Sequence, residues 1–493
     1  MRVNNRLISI SFLSIILILT SCQMLVGPVP QIIHPPDDSA FSLIFFPPPD
    51  TYPGALTVYI SQDPPEGIVH YTTNGSPPTC VSSTALPLTI SEGTLIQAIA
   101  CSEENLPLRL PVAANYILDG NYYVSAHRGS DDAGYGNKTS PYKTLGKAAS
   151  LALSGQNIKV AEGYYAESLS IASKNLNLYG GYDSAFSQRD SFAHPTTINP
   201  GNSSAYAISI SDSSTVLIEG FILYGGSGVS ESYGVNIATG SLGILQHNVI
   251  SGGFGTSLSV AVNQSNAGTS SLVKNNFILG GSGAVSKGFY LYFSTDRIYN
   301  NTIYAGSGAS AYGIDVGFKS RPQIANNIIF GKGNPGYGIL ESDSGNNDGS
   351  PTLVQNNVIH GFSSGLYYDD EGSGALMLVS DLNDSSKTTQ EGILSASGNI
   401  SLGIVNDWGT NTSVFISLKG SDLDAGLWDP AIQNWSLQAT SACELKQGGL
   451  DGAGAGWGMT HDFYRNPRTA ALSCSPSNTG AAGWSLGAVE QNS

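Results

Sequence analysis

His247-Asn248-Val249-Ile250 is the first of five versions of one phrase that returns along the middle of the chain. The others are Asn275-Asn276-Phe277-Ile278, Asn300-Asn301-Thr302-Ile303, Asn326-Asn327-Ile328-Ile329 and Asn356-Asn357-Val358-Ile359. The second residues of the phrases stand at 248, 276, 301, 327 and 357, so the steps are 28, 25, 26 and 30 residues. Self-similarity at such a period is typical of a solenoid, in which each unit buries its apolar side only against its neighbours.

The repeating unit is predicted to consist of strands. Apolar residues alternate with small or polar ones, as they do at Ile208 and Ile210 and at Ile314 and Val316. No segment of the unit has the spacing of an amphipathic helix, which disfavours a helical or leucine-rich repeat. A second phrase precedes the first one in most units: Tyr233-Gly234-Val235, Lys287-Gly288-Phe289, Tyr312-Gly313-Ile314 and Tyr337-Gly338-Ile339.

A unit of three short strands separated by turns resembles the coil of the right-handed parallel β-helix in the pectate-lyase-like superfamily. That resemblance implies an all-β fold in which one Asn per turn stacks on the next. The stacked amides would hydrogen-bond along the rod at a bend where Asn or Gly adopts left-handed backbone angles. We therefore interpret the Asn column as structural rather than as a ligand site.

The N-terminus has the pattern of an export signal. Arg2 and Arg6 precede an apolar run from Leu7 to Leu19 that is too short to span a bilayer. Leu19-Thr20-Ser21-Cys22 resembles the lipobox of bacterial lipoproteins, which implies a signal peptide over residues 1–21 and a lipid on Cys22. A plain signal peptide with an incidental cysteine is the alternative. In many bacteria, an Asp directly after the lipidated cysteine holds a lipoprotein at the inner membrane. Gln23 stands at that position here, so an outer-membrane or cell-surface location in the bacterial envelope is favoured.

The composition is that of an acidic exported protein. Charged residues make up 12% of the chain and its net charge is −16. Acidic chains without basic clusters are poor nucleic-acid binders, so we expect no nucleic-acid partner. No second apolar run of transmembrane length follows Cys22, which leaves the lipid as the expected anchor. We also expect a monomer without a metal or other cofactor.

Four cysteines remain after the lipidated one. They fall into two local groups, and the expected disulfides are Cys80–Cys101 and Cys443–Cys474, with sequence separations of 21 and 31. Each loop closure would stabilise the fold by roughly 3 kcal/mol on the chain-entropy estimate. Free thiols are the alternative.

Residues 22–43 are rich in proline and predict a stiff spacer. Residues 44–118 then alternate short strands with turns such as Asn74-Gly75, which predicts a small β-sandwich. Tyr71-Thr72-Thr73-Asn74-Gly75-Ser76-Pro77-Pro78 resembles the hallmark of the chitobiase C-terminal-type module, with Asn74 for the usual Asp and Gln97 for the usual Lys. The resemblance implies an accessory domain without catalytic residues. His70, Tyr71 and Tyr116 could stack on sugars, but core packing is the favoured interpretation.

The β-helix is predicted over residues 122–416, in about ten turns. Residues 122–182 resemble the opening of a bacterial β-helix family, and the helix predicted at Ala148 to Leu153 would cap the first turn. Residues 417–493 depart from the repeat and resemble the closing segment of many surface β-helix proteins. An uncapped solenoid would expose an apolar cross-section and unpaired strand edges.

Catalytic carboxylates on a solenoid would come from equivalent positions in adjacent turns, and no such column is found. If the chain is an enzyme, the candidates are Asp315 with Lys319 and Arg321, the cations nearest to it in sequence. Glu341 should face the opposite way from Asp315, and Asp369-Asp370-Glu371 is interpreted as a solvated loop.

Three classes of function stay open. We favour a non-catalytic surface protein that binds glycan or another ligand of the host or envelope surface. The alternatives are a lyase or hydrolase acting on an acidic polysaccharide, and a purely architectural envelope component. Stacked acids on one face would favour the enzyme, whereas an exposed aromatic ladder would favour the binder.

Overall fold

A computed structural model describes residues 42–238, 240–265, 270–342, 349–369, 378–388, 393, 395–399, 415–417 and 434–437. Cys22, the signal peptide, the Cys443–Cys474 pair and most of the closing segment lie outside these residues. The described part of the chain is nearly all β, with a small N-terminal pair of sheets followed by a long parallel solenoid. This confirms the predicted fold class. None of its helices has the length and apolar character needed to cross a membrane.

The N-terminal domain contains two sheets, with orders β1-β3-β5 and β2-β7-β6-β4. Its strands are β1 (Ser42–Phe46), β2 (Thr51–Tyr52), β3 (Leu56–Asp63), β4 (Ile68–Thr72), β5 (Leu88–Ile90), β6 (Thr94–Cys101) and β7 (Val112–Leu118). The first strand therefore begins within the predicted spacer, two residues before position 44. Cys80 and Cys101 form the expected disulfide.

The aromatic residues considered for sugar stacking in this domain are buried. Tyr116 has no exposed surface, and its hydroxyl donates to Pro47 O at 2.7 Å. Tyr71 and His70 are 8% and 7% exposed. The Tyr71 hydroxyl donates to Ala85 O at 2.9 Å, and His70 Nδ1 lies 2.8 Å from Ser82 O. These three side chains pack and fasten the domain, as the favoured interpretation expected.

Three parallel sheets form the walls of the solenoid. Sheet 1 contains β8 (Asn121–Val124), β9 (Asn157–Ala161), β12 (Leu176–Tyr182), β15 (Thr215–Glu219), β18 (Leu242–Gln246), β21 (Leu272–Lys274), β24 (Arg297–Tyr299), β27 (Gln323–Ala325), β30 (Leu353–Gln355) and β33 (Ala396–Ser397). Sheet 2 contains β10 (Gly163–Tyr165), β13 (Thr196–Ile198), β16 (Ile222–Tyr224), β19 (Val249–Ser251), β22 (Phe277–Leu279), β25 (Thr302–Tyr304), β28 (Ile328–Phe330) and β31 (Val358–His360). Sheet 3 contains β11 (Leu169–Ala172), β14 (Tyr206–Ser211), β17 (Glu231–Ala238), β20 (Leu258–Ser265), β23 (Val285–Tyr292), β26 (Ser310–Val316), β29 (Tyr337–Glu341) and β32 (Gly365–Asp369). Eight strands each in sheets 2 and 3 correspond to eight three-stranded turns within the described residues.

The interior is a continuous stack of aliphatic side chains from all three walls. Ile278, Ile314 and Ile324 are fully buried members of one cluster that runs from the first turn to the last described one. Sheet 2 is also covered on its outer side, since Phe277, Leu279 and Phe330 point away from this core and are 0% exposed. Around these residues the outer side of sheet 2 therefore offers no free face to a ligand.

The predicted Asn ladder is present at the bend between sheets 1 and 2. Its members are Asn248, Asn276, Asn301, Asn327, Asn357 and Asn399, each at most 1% exposed. From Asn276 onward, each Oδ1 accepts from both the backbone N and the Nδ2 of the Asn one turn earlier, at 2.9–3.2 Å. At the start of the ladder, Asn248 Oδ1 accepts from Phe221 N at 3.0 Å. The residue before each of the first five has φ of 51° to 59°, in the left-handed region that Asn tolerates. The oxygen and the nitrogen of each ladder amide thus form hydrogen bonds within the fold.

The helix that caps the first turn begins three residues earlier than predicted and ends two residues earlier. The helix α1 spans Leu145–Leu151, and the Thr144 side chain caps it by accepting from Lys147 N at 3.2 Å. The free backbone N–H groups of Leu145 and Gly146 donate to the Glu167 carboxylate at 2.9 and 3.0 Å. Ala152 has extended angles, which stop the helix. The N-cap threonine was the signal that apolar periodicity alone overlooked.

Beyond the eighth turn, the described residues add the short helices α2 (Val379–Leu382) and α3 (Ser385–Thr388). The strand β33 pairs in parallel with β30, and Asn399 extends the ladder. The strands β34 (Phe415–Ser417) and β35 (Asn434–Leu437) form a separate antiparallel pair. Among the described residues, the strand containing Ile416 thus pairs with β35 rather than within the three long sheets.

Candidate functional site

The outer side of sheet 3 carries two columns of side chains along the rod. The first passes through Tyr206, Tyr233, Val260, Lys287 and Tyr312, and Tyr337 follows it. The second passes through Ser209, Asn236, Asn263, Tyr290, Asp315, Leu340 and Tyr368. We call the surface formed by Tyr206, Tyr233, Tyr290, Tyr312, Tyr337 and Tyr368 the tyrosine face. Its six steps from β14 to β32, at about 4.8 Å each, give a length of about 29 Å.

The aromatic rings at the later end of the tyrosine face stack on one another. Tyr312 and Tyr337 have ring centroids 6.4 Å apart, and Tyr337 and Tyr368 are 4.8 Å apart, with interplanar angles of 22° and 24°. All three side chains are partly exposed. A stack parallel to the rod presents ring edges and hydroxyl groups to solvent, one ring per turn.

A glycine explains how an outward tyrosine and an inward core residue can stand two positions apart on the same strand. Simple alternation would put Tyr312 and Ile314 on the same side of the strand. The intervening Gly313 has no room for a side chain, because a Cβ there would lie 2.4 Å from Gly338 O and from Ile329 Cγ2. The strand changes its alternation at this glycine, so Tyr312 points outward while Ile314 is in the core.

An ion pair occupies the middle of the tyrosine face. Lys287 Nζ lies 2.5 Å from Asp315 Oδ2 and 4.1 Å from the centroid of the Tyr290 ring. The Ser342 hydroxyl donates to Asp315 Oδ1 at 2.5 Å. Exposure is 14% for the Lys287 side chain and 2% for that of Asp315. Both oxygens of the carboxylate are therefore engaged, and the group is hidden from an approaching ligand.

The structure places a different cation against Asp315 from the two named for it in the sequence. Sequence proximity selected Lys319 and Arg321, whereas the cation in contact is Lys287, one turn earlier. Lys319 Nζ instead lies 5.1 Å from the centroid of the Phe318 ring, and Arg321 N donates to Ser294 O. The missed signal was the parallel register, which pairs Lys287 with Tyr312 and Tyr290 with Asp315.

The edge of the tyrosine face is extended by further aromatic side chains. Tyr292 and Phe318 stack with centroids 5.1 Å apart, and Lys319 stands over Phe318. Tyr292 and Phe293 are 37% and 41% exposed. This edge combines exposed rings with one ammonium group, which suits contact with the apolar faces and hydroxyls of sugars.

The hydroxyls of Tyr290 and Tyr337 stay protonated at neutral pH, because the pKa of each is raised. Burial raises the pKa of Tyr290, and the neighbouring Asp315 charge raises it further. Burial also raises the pKa of Tyr337, with smaller contributions from Tyr368 and Tyr312. Protonated hydroxyls can both donate and accept hydrogen bonds, as recognition of sugar hydroxyls requires.

A second charged cluster lies outside sheet 1. Arg189 Nη1 contacts Glu219 Oε1 at 2.9 Å, and Gln246 Nε2 donates to Glu219 Oε2 at 2.8 Å. Arg189 Nε also donates to Gly180 O, so the guanidinium fastens its loop to the sheet. Lys274 pairs with Gln246 on the next strand of the sheet. Burial lowers the pKa of Lys274, and the Glu219 charge opposes this effect.

Carboxyl groups do not converge on an outer groove in the described residues. Glu341 pairs in register with the core residue Val316, so it faces the opposite way from Asp315, as expected. Asp369 was expected in a solvated loop, but β32 extends through it and places it beside Glu341, with 6% exposure. Asp370 and Glu371 lie outside the described residues. Across that described part of the chain, no group of three or more His, Cys, Asp or Glu residues could hold a metal ion.

Comparison with solved structures finds matches at low identity and low TM-score. A pectate lyase, Pel9A, is 15% identical with a TM-score of 0.39, over 76% of this chain and 96% of that one. A periplasmic alginate epimerase, AlgG, is 13% identical with a TM-score of 0.33, over 52% and 57%. A family 28 exopolygalacturonase of Yersinia enterocolitica is 14% identical with a TM-score of 0.20, over 66% and 80%. No curated protein sequence matches the chain.

Two protein families match parts of the sequence directly. The chitobiase/β-hexosaminidase C-terminal domain matches residues 47–107, within the N-terminal sheets. The right-handed β-helix region matches residues 197–358, which include the second Asn, or ladder position, of all five phrases. The chain therefore carries a chitobiase/β-hexosaminidase C-terminal domain followed by a right-handed β-helix region.

Proposed function

We propose that this protein is an envelope-anchored lipoprotein that binds polysaccharide along the tyrosine face without cleaving it. The observation that carries the proposal is the outward row of six tyrosines on sheet 3, interleaved with amide side chains. Asn263 Nδ2 donates to Asn236 Oδ1 at 2.7 Å, so these amides form a polar row beside the rings. The N-terminal domain adds support, because its family is named after two carbohydrate-active enzymes.

The geometry suits an extended ligand. Each ring contributes weakly, but a tyrosine recurs on six of the seven turns from β14 to β32, over about 29 Å. A glycan that lies along the rod would engage several turns at once, and each further contact would form at a high effective concentration. Binding is therefore expected to strengthen with the length of the glycan.

The absence of cleavage rests on the state of Asp315. A general acid or base must reach the proton that it transfers, yet this carboxylate is bound on both oxygens by Lys287 and Ser342. Its side chain is only 2% exposed. The group is better suited to fixing Lys287 and Tyr290 in place than to chemistry.

A polysaccharide lyase is the second candidate, and one observation favours it. Burial lowers the pKa of Lys274, and a lysine that loses its proton more readily can act as a base. Arg189 is committed to Glu219, and no acidic metal site accompanies the cluster in the described residues. We therefore rank this function below binding.

The tyrosine face is tested by removing two stacked rings. We expect Tyr337→Ala/Tyr368→Ala to weaken retention on an immobilised polysaccharide about tenfold or more, because each stacked ring contributes about 0.5–1.5 kcal/mol. The matched control is Tyr59→Ala/Tyr164→Ala, since these tyrosines are 53% and 58% exposed but lie elsewhere. Affinity electrophoresis in gels that contain pectin, alginate or a glycosaminoglycan measures the effect. Equal retention of the two double variants would remove the tyrosine face from the proposal.

The lipid anchor is tested separately. We expect Cys22→Ala to release the protein from membranes into the soluble fraction, because the lipobox cysteine is the proposed site of acylation. Fractionation of cells that express either form, with labelled palmitate to detect acylation, measures the change. A variant that still partitions with membranes would show that another segment anchors the chain.

A further inference from the structure

A separate cleft lies where the N-terminal domain meets the first turn of the β-helix. Its volume is about 400 Å³, within the range of small-ligand pockets. Both domains contribute to its wall, which includes Tyr52, Tyr122, Tyr135, Tyr142 and Gln156. None of the described residues that line it carries a charged side chain.

The cleft is held open by specific contacts between the two domains. Gln156 Nε2, from the β-helix, donates to Pro53 O of the N-terminal domain at 2.9 Å. The Asp50 carboxylate accepts from Thr139 Oγ1 and from Asn137 Nδ2. These bonds fix one wall against the other, so a ligand would enter a preformed site.

The tyrosines of the cleft offer both ring surface and hydrogen-bonding capacity. Tyr52 and Tyr122 hydroxyls donate to Pro48 O and Leu151 O, which leaves their lone pairs as acceptors. Among the described residues, the Tyr135 and Tyr142 hydroxyls have no hydrogen-bond partner. Burial raises the pKa of Tyr122 and of Tyr142, so both hydroxyls remain neutral, and that of Tyr142 keeps its proton available to a ligand.

We propose that this cleft binds a short neutral saccharide, independently of the tyrosine face. Aromatic rings pack against the C–H faces of sugars, and neutral hydroxyls and the Gln156 amide match sugar hydroxyls. A uronate or sulfated sugar would bring a charge that no lining residue neutralises, on a chain with net charge −16. The electrostatic character of the cleft therefore selects a neutral ligand.

Filling the cleft gives a sharp test. Gly54 lines it, has no left-handed φ, and a Cβ there would meet only Gln156 Nε2, at 3.8 Å. The variant Gly54→Trp therefore directs a large side chain into the cleft without backbone strain. Gly93→Trp is the matched control, because Gly93 belongs to the same domain, does not line the cleft, and has only Tyr116 O near its Cβ position, at 3.6 Å.

The measurement is calorimetric titration of the full chain with cellotetraose, chitotetraose and mannotetraose, and with tetragalacturonate as the acidic probe. We expect at least one neutral probe to bind the wild type and Gly93→Trp. Its affinity should fall at least about tenfold in Gly54→Trp and stay unchanged in Tyr337→Ala/Tyr368→Ala. Tyr135→Ala, a smaller change in the same wall, should weaken it as well.

Three results would overturn the inference. The first is that no neutral probe binds the wild type. The second is that Gly54→Trp and Tyr135→Ala bind the neutral probe as tightly as the wild type does. The third is that tetragalacturonate binds in the cleft more tightly than the neutral probes. Because the tyrosine-face variant is measured in parallel, loss of this site and failure of polysaccharide binding along the rod are distinguishable.

Discussion

Asn301→Ala is expected to lower the free energy of unfolding by about 3–5 kcal/mol, since the fully buried Asn301 side chain links three turns. Its Oδ1 accepts from Asn276 N and Nδ2, both at 3.0 Å. Its Nδ2 donates to Val273 O at 2.9 Å and to Asn327 Oδ1 at 3.2 Å. Alanine would leave these buried groups without partners, and chemical denaturation followed by circular dichroism measures the loss.

Two further variants define the cause. Asn301→Asp keeps the shape and the acceptor but removes the donors and buries a charge, so we expect a loss at least as large. Asn202→Ala changes the same residue type on the surface, where little effect is expected. A stability of Asn301→Ala within 1 kcal/mol of the Asn202→Ala control would show that the ladder is not what holds successive turns together.

Lys287→Met is expected to destabilise the protein by about 3 kcal/mol, because it leaves the buried Asp315 carboxylate without its cation. The Ser342 hydroxyl alone would then compensate the charge. Methionine preserves most of the apolar stem of the lysine beside Tyr290. The melting temperature at neutral pH measures the effect.

The double variant Lys287→Met/Asp315→Asn supplies the control. It removes both charges at similar volume, so most of the lost stability should return. If Lys287→Met is as stable as the wild type, the pair is not coupled and Asp315 could serve another purpose. If the double variant is no better than the single one, the loss comes from packing around Tyr290 and not from the unpaired charge.

The sequence was sufficient to predict the repeat because its signals are local and periodic. The Asn-containing phrases have a near-constant spacing, and each places a residue that tolerates positive φ directly before the ladder Asn, as at Asn300 and Asn301. The N-terminal domain was predictable from its Tyr-Thr-x-Asn-Gly-Ser motif, which the family match confirms.

The site was harder to predict because it depends on which turn lies beside which. Lys287 and Asp315 are 28 positions apart, and they meet only through the parallel register of β23 and β26. The tyrosines were visible as Tyr-Gly phrases, but simple alternation would place Tyr312 on the core side with Ile314. Only the crowding at Gly313 reveals the change of alternation that turns the ring outward.

The most direct test of binding without cleavage is one experiment with two readouts. Wild-type protein and Tyr337→Ala/Tyr368→Ala are incubated with pectin, alginate and glycosaminoglycan fractions of graded length, with and without Ca²⁺. Retention and new chain ends are then measured on the same samples. We predict wild-type retention that strengthens with glycan length, weaker retention of the variant, and neither new reducing ends nor unsaturated uronates. The appearance of cleavage products with the wild type, and their loss in Lys274→Met, would contradict this account and identify the chain as a lyase.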